Sequence, residues 1–165
     1  MDEKAQRFSE ECGPYAGMVY RHCLHMLSRP EEAEDAAQET FLKAYRALDS
    51  FRGECDEKTW LMRIAINTCR DMRRSRWTRH VDRRVTPEML PEASAPFDER
   101  DEELTLALMC LPPKQREAVL LRYYQRMSLA QTAQAMGVTV STVSKQLGRA
   151  LRSLRGILEG GREHE

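Results

Sequence analysis

Glycine is sparse and runs of β-branched residues are absent: eight glycines stand in 165 residues, while alanine, leucine, glutamate, arginine and glutamine dominate. With nothing to alternate across a sheet, the composition is that of an all-α protein. No apolar run approaches the ~20 residues of a membrane span, and the acidic opening MDEKAQRF is no secretion signal. These absences lead us to expect a cytoplasmic protein without membrane insertion. The five cysteines, Cys12, Cys23, Cys55, Cys69 and Cys110, include no CxxC pair and are odd in number, which suits reduced core residues better than a disulfide framework. His22-Cys23-Leu24-His25 is the cluster to weigh as a metal or redox site, with Cys12 as a third ligand. Cys23, however, falls on an apolar stripe and no fourth ligand is evident, so we assign no metal and no cofactor. No nucleophile–base pair or phosphate-cradling glycine loop can be placed either, which argues against an enzyme.

Net charge is also missing, with 26 basic and 26 acidic side chains, but that balance hides a local excess. Between Lys114 and Arg155 stand Lys114, Arg116, Arg122, Arg126, Lys145, Arg149, Arg152 and Arg155, against the single acid Glu117. The same stretch contains MSLAQTAQAMGVTVSTVSKQLGRALRSLR, residues 127–155, which reads as a helix-turn-helix. Ser128 can cap the first helix with Gln131 reaching back, and Leu129, Thr132, Ala133 and Met136 form its inward stripe. Gly137 suits the left-handed residue that ends that helix, and Thr139 or Ser141 can cap the next. The second helix, about 141–153, carries Val143, Leu147, Ala150, Leu151, Leu154 and Leu158 on one side and Thr142, Lys145, Gln146, Arg149 and Ser153 on the other. An apolar seam behind hydroxyl, amide and cationic tips is what reading a major groove requires. The basic surroundings favour phosphate contact.

Upstream, residues 2–27 predict a helix broken at Gly13-Pro14, with Phe8, Cys12, Tyr15, Val19, Cys23 and Met26 on one stripe. Pro30 opens the next helix, whose first turn is acidic and whose inward positions are Ala37, Phe41, Ala44, Tyr45 and Leu48. Asp35, Gln38, Glu39 and Lys43 lie outside and, on residue chemistry alone, form a solvated face. Phe51 stands in the polar loop DSFRGECDEK, either as a plug into the core or as a stacking surface. Asp56 caps a helix over 57–77 that buries Trp60, Leu61, Ile64, Ala65, Cys69 and Met72. Arg63, Arg70, Arg73, Arg74, Arg76 and Arg79 accumulate along it with Asn67 and Trp77 among them, a mixture that suits nucleic acid, unpaired strands included, or an acidic protein partner. Three prolines and an acidic second half make 78–103 an extended linker between two helical domains, 1–77 and 104–165. A helix from about Asp101 to Leu111 and one from Lys114 to about Gln125 precede the helix-turn-helix, and the tail 159–165 is expected to fray.

DAAQETFLKAYRALDSF followed by TWLMRIAINTCRDMRRSR resembles domain 2 of the extracytoplasmic-function (ECF) sigma factors of the sigma-70 family. LPPKQREAVLLRYYQRMSLAQTAQAMGVTVSTVSKQLGRAL resembles their domain 4. Order, spacing and a short linker lacking the middle domain match as well, and the likeness covers about four-fifths of the chain. It implies a transcription initiation factor that binds core RNA polymerase and promoter DNA, without catalytic residues of its own. It implies polymerase docking through Asp35, Gln38, Glu39 and Leu42, and a flipped −10 base held by the loop 51–59, with Phe51 and Asn67 lining its pocket. Arg70, Arg73 and Arg74 would grip DNA beside it. It implies −35 readout through Thr142, Lys145, Gln146 and Arg149, and an anti-sigma factor that masks these surfaces. Gln131-Thr132-Ala133 stands where the family commonly has Glu-Ile-Ala, and Ser144-Lys145-Gln146 where it has Lys-Ser-Arg, so the −35 sequence cannot be borrowed from relatives.

A second reading is a one-component regulator, in which the helix-turn-helix binds an operator and the N-terminal helices sense a metal or thiol through His22, Cys23 and His25. The basic helix at 63–79 and the linker favour the sigma factor, since a sensor needs no second DNA face.

Overall fold

The computed structural model describes residues 2–80 and 99–163, with side chains for 2–75 and 103–160, and every element among them is helical. The chain divides into two compact units, Met1–Pro91 and Glu92–Glu165. The expected linker falls largely outside the described residues, as do the side chains of Arg76, Trp77 and Arg79.

In the first unit, α1 (Glu3–Cys12) and α2 (Ala16–Leu27) are joined by a single 3-10 turn at Gly13–Tyr15, where Pro14 removes a backbone donor. Helix α2 ends at Ser28, left-handed at φ 67, whose N–H reaches the Leu24 carbonyl at 2.8 Å. Helix α3 (Pro30–Ala47) starts on proline with Glu31 and Glu32 in its first turn, complementing the positive end of the helix. Helix α4 (Glu57–His80) is capped by Asp56, whose carboxylate accepts the Thr59 N–H at 2.6 Å.

These helices close over a core of Cys12, Val19, Cys23, Met26, Leu27, Ala33, Ala36, Ala44, Leu48, Leu61, Met62, Ala65, Ile66 and Cys69. Alanines on the α3 face let the helices approach closely, and the buried Thr40 hydroxyl is satisfied by the Ala36 carbonyl at 2.7 Å. The expected inward set of α4 is rotated. Trp60, Ile64 and Met72 are only half-buried, while Thr59, Met62, Ile66 and Thr68 are buried. Because α4 packs against α1, α2 and α3, the face it buries is wider than a stripe drawn for one neighbour. Phe8 meets Phe41 and Tyr45 edge-on at 6.1 and 5.5 Å between centroids, closing the α1 side.

The second unit opens with α5 (Glu99–Met109), which begins within the stretch read as linker. Helix α6 (Pro113–Val119) runs into a π turn at Leu120–Tyr124, where the sequence reading expected continuous helix. Gln125 N–H bonds the Leu120 carbonyl at 2.9 Å, Met127 N–H bonds Leu121 at 3.1 Å, and Arg126 takes a left-handed φ of 54 to complete the turn. The corner between α5 and α6 is held by Arg116, whose guanidinium donates to the carbonyls of Leu108, Met109 and Leu111 at 3.0–3.1 Å. Glu117, the lone acid of the basic stretch, is buried. Helix α7 (Leu129–Met136) and helix α8 (Val140–Glu163) complete the unit, with α8 running past the point where fraying was expected.

Candidate nucleic-acid interface

The helix-turn-helix forms from local chemistry. The Ser128 hydroxyl accepts the Gln131 N–H at 3.1 Å and the Gln131 side-chain carbonyl accepts the Ser128 N–H at 2.9 Å, a reciprocal capping box. Gly137 sits at φ 71, where a side chain would be strained, and reverses the chain. Of the two candidate caps for α8, Thr139 is the one used. Its hydroxyl accepts the Thr142 N–H at 3.2 Å and shares a 2.9 Å hydrogen bond with the Thr142 hydroxyl.

Val143, Leu147, Ala150 and Leu154 form the buried side of α8. At ~100° per residue, Ser141, Lys145, Arg152 and Gly156 fall most nearly opposite that side, with Gly148 and Arg149 on its two flanks. Lys145 and Arg149 are exposed, whereas Thr142 and Gln146 are half-buried on one flank. Sequence reasoning passed over Ser141 and Arg152 as outward positions, although the spacing of the buried residues was enough to find them. Leu151, expected on the seam, is 42% exposed, and Leu129, expected on the inner stripe of α7, is 36% exposed. Leu151 lies too far round the helix to reach the short α7. Leu129 opens its helix, and side chains at a helix start lean beyond it toward the N-terminus. Ala135 takes the buried place instead.

The basic stretch splits by use. Arg116 is consumed by the α5–α6 corner, and Arg122 donates to the Met127 carbonyl at 3.3 Å while lying over the Tyr123 ring. Lys114, Arg126, Lys145, Arg149, Arg152 and Arg155 remain exposed. Among the described residues, Lys145, Arg149 and Arg152 are in no ion pair, so their charge is available to an anionic partner.

In the first unit the structure joins Phe51 to a residue expected in the core. Phe51 stacks on Trp60 with ring centroids 4.7 Å apart and planes 27° from parallel, and both are half-buried. Phe51 is thus neither a deep plug nor a free ring. Asn67 is exposed and lies seven residues after Trp60, two turns along the same face of α4. Arg70 and Arg74 continue near that face, Arg74 paired with Asp71 at 3.4 Å. Arg73 turns elsewhere: its Nε and Nη1 atoms are buried, and its charge is felt at His22.

Asp35, Gln38, Glu39 and Leu42 share one face of α3, and Leu42 is 50% exposed, an apolar tip among polar neighbours. The histidine–cysteine cluster is pulled apart by packing. His22 is fully buried, and burial, with the His25 and Arg73 charges adding to it, lowers its pKa to about 3. His25 Nδ1–H donates to its own helix, at the Arg21 carbonyl, 2.7 Å away. Cys23 is pushed upward by a hydrogen bond with Cys69 and by burial, and burial raises Cys12 to about 11. Among the described residues no three His, Cys, Asp or Glu side chains come together around a common point. No described helix is long and apolar enough to cross a membrane.

Residues 13–79 match the family model for sigma-70 region 2, and residues 101–154 match that for sigma-70 region 4. The chain is 31% identical to the RNA polymerase sigma-H factor of Pseudomonas aeruginosa, over 95% of this chain and 91% of that one. It is 30% identical to the ECF RNA polymerase sigma factor SigW of Bacillus subtilis, over 90% of this chain and 87% of that one. Among solved structures, the sigma factor RpoE of Bartonella quintana, in complex with the anti-sigma factor NepR, aligns with a TM-score of 0.79 and 25% identity, covering 93% of this chain and 98% of that one.

Proposed function

The chain belongs to the sigma-70 family as an ECF-type alternative sigma factor, and from that premise we propose how its two units divide promoter recognition. The Asp35, Gln38, Glu39 and Leu42 face of α3 docks on core RNA polymerase, with Leu42 as the apolar anchor and the polar residues fixing register. The Phe51–Trp60 stack offers an aromatic wall to a −10 base flipped from the duplex, and Asn67, two turns along α4, reads that base or its neighbour. Arg70 and Arg74 hold the adjoining phosphates. Arg73, turned inward, steadies α4 and contributes to DNA indirectly.

The second unit reads the −35 element with α8. Lys145 and Arg149 face the groove, Gln146 and Thr142 reach it from the flank, and the Arg126 and Arg155 charges steer the duplex. The protein has no chemistry of its own and works in the cytoplasm, its activity set by which promoters it brings to polymerase. An anti-sigma factor is the partner that would cover these faces when transcription is off, as the Bartonella quintana complex illustrates for that protein. The one-component regulator is not favoured, because residues 13–79, where a sensor would sit, match region 2.

The observation that carries this reading is the presence of two separate units, each with an exposed face suited to nucleic acid and matched in order by regions 2 and 4. Each unit alone makes few base contacts, and polymerase holding both raises their effective concentration on one promoter. The test compares promoter-specific transcription by core polymerase with the wild-type chain and with Asp35→Ala, Gln38→Ala and Leu42→Ala combined. The expected result is lost polymerase binding and lost transcription with an unchanged melting curve. A tight, specific DNA complex formed by the protein alone and unaffected by the triple change would refute it.

A further inference from the structure

Gly148 stands in the interior of α8, half-buried on the flank of its outward side. A glycine there weakens a helix relative to alanine, because the unfolded chain gives up more freedom and no side chain shields the backbone. Within the protein nothing asks for that weakness. A Cβ at position 148 would meet no atom within 4 Å, and the backbone is helical, without the positive φ that favours glycine. The reason for bare backbone therefore lies outside the protein. Around Gly148 the outward face carries Ser141, Lys145, Arg149 and Arg152: a small residue, then cations long enough to swing aside. The helix thus has bare backbone between Lys145, Arg149 and Arg152, cationic tips that no acid of the described residues pairs. That relief fits a polyanion whose edge comes up to the backbone while its phosphates lie to the sides.

Building on the assignment of α8 as the −35 helix, we propose that Gly148 is where the α8 backbone comes closest to promoter DNA. The missing side chain sets how deeply the helix enters the major groove. Gly156 supplies an internal comparison. It lies in the same helix, ~12 Å further along, and a Cβ there also meets nothing within 4 Å. It is exposed on the same outward side but beyond the Lys145–Arg152 cations, so on this proposal it shares the effect on helix stability without a place at the groove floor.

The experiment uses the full chain bound to core polymerase. Genomic fragments retained by the wild-type holoenzyme supply the probe, and the strongest binder is titrated as a labelled duplex against Gly148→Ala, Gly148→Leu, Gly156→Ala and Lys145→Ala. Gly148→Ala and Gly156→Ala should each raise the melting temperature of the free protein by roughly 2–6 °C. Duplex affinity should fall about tenfold for Gly148→Ala and further for Gly148→Leu, a loss within the range of one disrupted base contact, while Gly156→Ala binds like wild type. Wild-type affinity in Gly148→Ala together with weakened binding in Lys145→Ala would overturn the close approach and leave the −35 assignment standing. Wild-type affinity in all four variants would remove that assignment and the close approach with it. Equal loss in Gly148→Ala and Gly156→Ala would assign the effect to helix stiffness and overturn the proposal.

Discussion

His22 ties the stability of the first unit to pH. Its ring lies at 1% exposure between α2 and α4, near the Arg73 charge, and stays neutral until about pH 3. In the unfolded chain the same ring takes up its proton near the ordinary value of 6.5. The unfolded state therefore binds more protons throughout that interval. The His22 contribution is complete above the unfolded value and drains away as the pH falls toward the folded one. Between about pH 7.5 and pH 5.0 the loss is about 2 kcal/mol, and it hardly depends on the folded value, because pH 5.0 already lies well above it. The assay is urea unfolding followed by tryptophan emission. Trp60 and Trp77 are the two tryptophans of the chain and both belong to the first unit, so the signal reports that unit alone. His22→Leu removes the titrating group. Wild type should lose about 2 kcal/mol more than the variant over that pH range. Equal losses in the two proteins would show that His22 is hydrated or partnered in solution, and the account of its burial would be wrong.

Phe51→Ala should cost about 0.5–1.5 kcal/mol by removing the stack on Trp60, visible in tryptophan emission, and should also slow open-complex formation. Asn67→Ala changes an exposed side chain and should move stability by no more than about 0.5 kcal/mol while slowing the same step; normal promoter opening in Asn67→Ala would exclude it from the −10 pocket. In the second unit, Arg116→Ala strips three carbonyls of their charged donor and should cost about 2–3 kcal/mol in a circular-dichroism melt. Ser128→Ala should cost about 1 kcal/mol in the same measurement, and no change would mean that the capping box does not hold α7 in solution.

The parts of the fold that sequence foretells are those made by near neighbours along the chain. Pro30 at a helix start, Asp56 and Ser128 as caps, and Gly137 in the left-handed turn each follow from a side chain acting within four residues. The periodic residues Val143, Leu147, Ala150 and Leu154 likewise mark the buried side of α8 without further knowledge. What escaped depends on partners that periodicity does not identify. The phase of α4 is set by three helices at once, which buries Met62 and Ile66 and leaves Trp60 free to meet Phe51. Arg116 reads as one more surface cation until α5 is folded beside it. Arg73 reads as one more outward cation of α4 until the fold buries its Nε and Nη1 atoms. The candidate polymerase face on α3 is legible as a polar stripe, but its chemistry alone resembles any solvated surface, and the family likeness supplied the meaning.

The hydroxyl pair at the start of α8 bears on how binding energy is distributed along the reading helix. With Thr139 and Thr142 locked to one another and to the backbone, the first turn is preorganised before DNA arrives. Side chains that must be immobilised on binding cost about 0.5–1.5 kcal/mol each, and that entropy falls on the long, mobile Lys145, Gln146, Arg149 and Arg152. On the −35 assignment proposed for α8, bases facing the first turn would meet a rigid template, and bases further along would meet side chains that adjust to them. Sequence tolerance should accordingly widen from one end of the −35 element to the other.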